Sequence, residues 1–184
     1  AQTEQGANIS DQWTGSELPL AFASDSNPSD PVSNVNDKLI SFNDRPANRW
    51  TNWNRSNPEA SVGVLFGDSG ILSKRSVDNL SVGFHEDHGV GAPKSYVIEY
   101  YVGKTVPTAP KNPSFVGEEN HAFNDPANWK EVSNLKAPAQ LKAGEMNHFS
   151  FDKVETYAVR IRMVRLDSKK GTSITEVQIF AKQV

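Results

Sequence analysis

The sequence contains no cysteine, which removes disulfide cross-links, thiolate nucleophiles and Cys-based zinc sites. It has no apolar run near the roughly 20 residues that cross a bilayer, and no run of cations longer than Lys169-Lys170. With a formal charge of −3, the chain has no cluster that could neutralise several phosphates, so nucleic acid is not an expected partner and membrane insertion is not an expected behaviour. Charged residues make up 22% and hydrophobic ones 36%, both low. The 12 glycines and 11 prolines favour a turn-rich all-β chain over helices. The 184 residues suit one domain with a single core. The opening AQTEQGANIS is polar and lacks an initiator Met, and it reads as the interior of a larger polypeptide. The expected division is a linker over residues 1–12 and one module over 13–184.

Period-two alternation marks the strands. Leu80, Val82 and Phe84 fall on one face, as do Tyr96, Ile98, Tyr100 and Val102, and then Tyr157, Val159, Ile161 and Met163. Residues 61–66, 147–151 and 174–180 add shorter candidates. Between them lie turn clusters such as SDSNPSDPVSNVND, rich in Ser, Asn, Asp and Pro, which read as irregular loop. Six or more strands with no amphipathic helix and no repeat read as an antiparallel β-sandwich of jelly-roll type. Residues 103–128 form a connection too long for a hairpin. Its His121 and Phe123 either touch a ligand or pack the loop on itself.

The order and spacing of LPLAFASDSNPSDPVSNVNDKLISFNDRPANRW, SVGVLFGDSGILSKRSVDNLSVGFHED, KSYVIEYYVG, NWKEV and YAVRIRMVRLDSKKGTSITEVQIF resemble the discoidin-like (coagulation factor 5/8 type C) galactose-binding superfamily over residues 16–184. Asn43-Asp44 leading to Arg49-Trp50, and the closing strand from Ile174, are its most telling pieces. More narrowly, the stretch is similar to the family 71 carbohydrate-binding modules of large cell-wall-attached streptococcal β-galactosidases. The resemblance implies a galactose-binding-domain-like sandwich without catalysis. It implies recognition of glycans ending in β-galactose, as in lactose and N-acetyllactosamine. It implies a monomeric module of a multidomain extracellular protein, attached to the cell wall through its parent and tethering that parent to host glycans.

A galactose ring needs directional donors and acceptors for its hydroxyls and an aromatic plane for its C–H face. The segment RWTNWNRSN supplies that mixture. Trp50 is expected in the core, where the superfamily buries a tryptophan. Trp53, among Asn52, Asn54, Arg55 and Asn57, is expected to face solvent; the alternative is a tryptophan covering a sheet end. Arg55 either donates to an axial hydroxyl or pairs with Glu59. FHEDHGVGAP offers a second cluster, His85, Glu86, Asp87 and His88, on a Gly-terminated loop. In related modules this loop carries an Arg with an Asn five residues on, and His85 and Val90 stand there in this chain. The expected ligand-binding set is therefore Trp53, Asn54, Arg55, His85, Glu86, Asp87 and His88.

The resemblance also implies a structural Ca²⁺ between the Asn-Asp loop and the last strand. Asp44, Asn48, the Ser41 and Thr175 carbonyls and Glu176 stand at the matching positions, an oxygen set that suits a hard cation. The alternative is an ion pair from Asp44 or Glu176 to Arg45 or Arg49. No HExxH, nucleophile elbow or Gly-rich phosphate loop is present, and no enzyme is expected. The competing function is a discoidin-like adhesion domain that binds a protein or membrane surface, for which Trp53 beside Arg55 would be an apolar spike.

Overall fold

The computed structural model describes residues 7–12, 17–43 and 48–181; Trp13, Asp44 and Arg45 lie outside the described residues. Among the described residues twelve strands follow in order: β1 Leu20–Ala23, β2 Trp50–Thr51, β3 Glu59–Leu65, β4 Gly67–Asp68, β5 Ile71–Leu72, β6 Arg75–Phe84, β7 Val90–Gly91, β8 Ser95–Tyr101, β9 Trp129–Glu131, β10 Met146–Thr156, β11 Ala158–Val164 and β12 Gly171–Ala181. One five-stranded sheet runs β1-β3-β11-β8-β9, and the other runs β10-β6-β12-β2 with β7 beside β12. All pairings in these sheets are antiparallel except β7 with β12. The chain is thus the antiparallel β-sandwich that its alternation predicts.

Alternation decides which side chains meet between the sheets. On β11, Val159, Ile161 and Met163 point into the core while Arg160 and Arg162 point out. Val82, Phe84, Phe149, Ile174, Val177 and Ile179 come from the facing sheet, and Trp50 fills the layer at full burial. Each such aromatic or branched side chain contributes about 1.5–3 kcal/mol by leaving water.

The outer face of the first sheet has a core of its own, because residues 103–128 fold back over it. Phe123 stacks on Phe22 at 4.5 Å, and Leu18, Leu65, Tyr101, Val116, Trp129 and Ala158 complete the cluster. His121 pins the segment: its Nε2 meets the Thr108 carbonyl at 2.7 Å and its Nδ1 accepts from the Phe123 N–H at 3.0 Å. Arg160 lies 4.0 Å over the Trp129 ring and donates to the Phe123 carbonyl. The long connection packs on its own aromatic residues.

The segment expected as linker does not stay free where it is described. The Ile9 N–H donates to the Ile179 carbonyl and the Ala181 N–H to the Ala7 carbonyl, and Ile9 is buried. Ser10 adds to the docking, its Oγ donating to the Val177 carbonyl and accepting from the Ile179 N–H. This happens at the far end of β12, about 33 Å along an eleven-residue strand from Gly171. The candidate site sits at the Gly171 end.

Candidate functional site

Strand β2 sets the site. Pairing with Ser173 and Ile174 of β12 turns Trp50 inward, where its indole N–H donates to Ser26 Oγ at 2.9 Å and to the Asp25 carbonyl at 3.1 Å. The chain then turns sharply. Asn52 is buried, with its Oδ1 accepting from the Thr172 N–H at 2.7 Å, and Asn54 takes a positive φ of 60°, which Asn tolerates better than most residues. Between these two anchors Trp53 is held outward, 49% exposed. Two glycines allow the approach. A Cβ at Gly89 would lie 2.7 Å from Trp53 Nε1, and one at Gly171 would lie 3.2 Å from Trp53 Cα.

The facing wall is the turn at residues 87–90, closed by the Asp87 N–H donating to the Val90 carbonyl at 3.0 Å. Asp87 builds this turn with its own side chain. Its Oδ1 accepts from the Gly89 and Val90 N–H groups at 2.8 and 3.1 Å, and its Oδ2 accepts from Arg49 Nη2 at 3.3 Å. His88 projects from the tip, exposed. Asp30 approaches from the loop after β1, its Oδ2 accepting from Thr51 Oγ1 at 2.7 Å. Lys169 comes from the loop before β12, which Asp167 Oδ1 turns by accepting from the Lys169 and Lys170 N–H groups. Together these residues line an open cleft of about 640 Å³.

The cleft offers an indole plane, cationic donors in Arg49 and Lys169, acceptors in Asp30 and Asp87, and an imidazole that can do either. That suits a polyhydroxylated ring with one apolar face.

Of the expected contacts, Trp53, Asp87 and His88 meet at this cleft, while the others lie around it. His85 is 1% exposed, and its Nε2 lies 3.8 Å beneath Asp87 Oδ2. Glu86 is on the neighbouring slope, 3.7 Å from Lys170 Nζ. Arg55 leads away from the cleft, pairing with Asp25 at 3.0 Å and Glu118 at 3.7 Å and covering the Phe115 ring; Glu59 pairs with Arg162. Asn54 is exposed on the turn. Sequence reasoning missed Asp30, Arg49, Lys169 and the two glycines. Arg49 was a usable signal, since a cation is rarely fully buried unless paired. Asp30 sits in a polar loop where nothing distinguishes it.

At the other implied site, a bulge in β12 between Ile174 and Glu176 presents Thr175 and Glu176 to the loop of residues 37–43. Thr175 Oγ1 donates to the Asn48 carbonyl and accepts from the Ser41 N–H, and Asn48 Nδ2 donates to the Leu39 carbonyl. Glu176 is fully buried. Its Oε2 accepts from the Lys38 N–H at 3.0 Å, and its Oε1 has no partner among the described residues. Burial, then nearby Asp37, pushes its pKa up to about 9. No group of three or more His, Cys, Asp or Glu positioned for a metal occurs among the described residues, and Asp44 lies outside them. An orphaned, buried carboxylate oxygen is nonetheless a group that a hard cation would satisfy.

A β-sandwich that holds an exposed indole among hydrogen-bonding side chains in an open cleft has the build of a carbohydrate-binding module. The comparison with family models gives the same class: residues 21–177 match the β-galactosidase-like galactose-binding domain. The chain belongs to that family of non-catalytic carbohydrate-binding modules. It is similar to a structure from the Streptococcus pneumoniae β-galactosidase BgaA, with 92% identity, a TM-score of 0.95, and coverage of 97% of this chain and 100% of that one. The fold is shared at 16% identity with the family 32 module of Clostridium perfringens NanJ solved with galactose, at a TM-score of 0.57 covering 87% and 91% of the two chains. It is shared at 15% identity with chitosan-binding module 1 of a Paenibacillus sp. IK-5 chitosanase/glucanase, at a TM-score of 0.60 covering 95% and 99%. No curated protein matches the chain.

Proposed function

We propose that the Trp53 cleft binds a terminal β-galactose, as presented by lactose or N-acetyllactosamine. The half-exposed indole of Trp53, braced on Gly89 and facing Asp87 and His88, is the observation that carries this reading. The axial C4 hydroxyl of galactose leaves a continuous C–H patch on one ring face, which stacks on the indole. His88, Arg49 and Asp30 meet the hydroxyls. Asp87 offers whatever accepting capacity its turn leaves free, with His85 steadying it from beneath. Asn54 and Arg55 hold the turn that carries Trp53, and Glu86 borders the cleft.

A shallow, wet site of this kind binds with an affinity on the order of tens to hundreds of micromolar, because each hydrogen bond replaces one to water. Several such modules on one extracellular parent, attached to the cell wall, raise the effective concentration at a glycan-covered surface. Within the same reading, Ca²⁺ held by Glu176, Asn48, the Ser41 and Thr175 carbonyls and Asp44 ties the 37–48 loop to β12. Its role there is structural, neutralising the buried carboxylate. A glycan array tests the assignment: signal confined to β-galactosides supports it, and a blank array with folded protein refutes it.

A further inference from the structure

The turn at residues 87–90 has a second flank. Glu86, Gly91 and Lys170 border another groove there, of about 710 Å³, against 640 Å³ for the Trp53 cleft. Its lining is mixed, with polar and apolar surface in similar amounts. Pro93, Leu135 and Leu141 contribute to the walls, and Leu166 stands at the rim, 50% exposed. The ring of Tyr96 also opens into it, fixed by an edge contact with core Phe149 at 5.4 Å. Its hydroxyl has no hydrogen-bond partner among the described residues, and partial burial pushes the phenol pKa up. Gln140, Lys94 and Ser95, all exposed, add polar groups.

The groove is continuous with the Trp53 cleft in its construction. Both are walled by the same two loops: residues 87–90 and Lys169 face the first, and residues 86 and 91 and Lys170 face the second. The divide is the segment of residues 86–91, closed by the Asp87 N–H donating to the Val90 carbonyl at 3.0 Å. Its crest on the groove side is the Lys170–Glu86 ion pair, 3.7 Å long, lying over Gly91. A Cβ at Gly91 would stand 3.0 Å from Lys170 Cε and 3.3 Å from Glu86 Oε2. A ligand leaving Trp53 therefore meets a charged crest that can bond hydroxyls, and then an aromatic and aliphatic trough. An oligosaccharide presents the same alternation of hydroxyl edges and C–H faces. A hydrocarbon chain would have to desolvate the ion pair to make the crossing.

We infer that this groove is a second sugar subsite, which takes the residues following the terminal sugar held at Trp53. The inference rests on the reading of the Trp53 cleft given above. One stacked face and one hydrogen bond to Tyr96 Oη give about a fivefold gain in affinity for a longer glycan over a disaccharide.

The test is calorimetric titration of the whole chain with lactose and with a linear tetrasaccharide ending in the same galactose. Wild-type protein, Tyr96→Phe and Ala139→Trp are compared. The first variant removes only the hydroxyl, and the second fills the groove from an exposed position. The expected result is a tetrasaccharide advantage of about fivefold in the wild type, reduced in Tyr96→Phe and abolished in Ala139→Trp, with lactose affinity the same in all three. Lactose binding without any tetrasaccharide advantage, or an advantage that survives Ala139→Trp, overturns the groove alone. Wild-type protein that binds neither sugar overturns the Trp53 reading together with it.

Discussion

Replacing Trp53 by alanine removes the stacking plane while leaving the hydrogen-bonding groups in place, so its effect can be estimated from surface area. A tryptophan offers up to about 250 Å²; at 49% exposure about 120 Å² faces solvent, and a pyranose lying on one face hides about half of it. At about 25 cal/mol per Å² the contact contributes about 1.5 kcal/mol, which is about a tenfold change in Kd. Calorimetry with lactose measures it directly. Fluorescence gives a second readout, because Trp50 and Trp129, the other tryptophans among the described residues, are buried and a lactose-dependent change is expected to vanish in Trp53→Ala. Ile71→Ala serves as a control, since Ile71 is exposed at 70% on β5, outside the cleft. Its affinity should equal that of the wild type. An unchanged lactose Kd in a folded Trp53→Ala protein would defeat the stacking argument.

The glycines under Trp53 separate binding from stability. Gly89→Ala meets only the movable indole edge, so lactose affinity should fall several-fold while thermal unfolding shifts little. Gly171→Ala meets the Trp53 backbone and Asn52 Oδ1, and a clear drop in Tm is expected. Adding Ca²⁺ at a hundredfold excess over its Kd should stabilise the protein by about 2.7 kcal/mol, a rise of about 5–10 °C. Glu176→Gln should lose that rise, and identical melting in Ca²⁺ and in chelator would remove the cation from the account. Arg160→Ala takes from buried Glu99 one of its two arginine partners, leaving Arg162 at 3.2 Å, and uncovers the Trp129 face, for a loss of about 1–3 kcal/mol. Urea unfolding should report that loss, with lactose affinity unaffected.

The sandwich was readable along the chain because a strand with one buried face must alternate. Val159, Ile161 and Met163 announce which side of β11 is inside before any partner strand is known. Trp50 and Trp53 were separable for a related reason. One stands where the resembling superfamily buries a tryptophan, and the other sits in a run of amides and a cation too polar for a strand interior. The resemblance to a known family supplied the class of ligand, which periodicity and composition do not encode.

The cleft itself was legible only in part. Trp53, Asp87 and His88 stand out as chemistry in a line of sequence, yet what they face is set by pairing between β2 and β12. That pairing brings Asp30, Arg49 and Lys169, scattered over about 140 positions, around one indole. Arg55 is two residues from Trp53 and still leads elsewhere, because Asp25 and Glu118 lie on its side of the turn. Sequence alone determined the alternation, the core and the aromatic that remains in water, since each depends on a residue's own polarity and its immediate neighbours. Tertiary structure alone decided which distant loops close around that aromatic, because strand register places side chains that no local pattern relates.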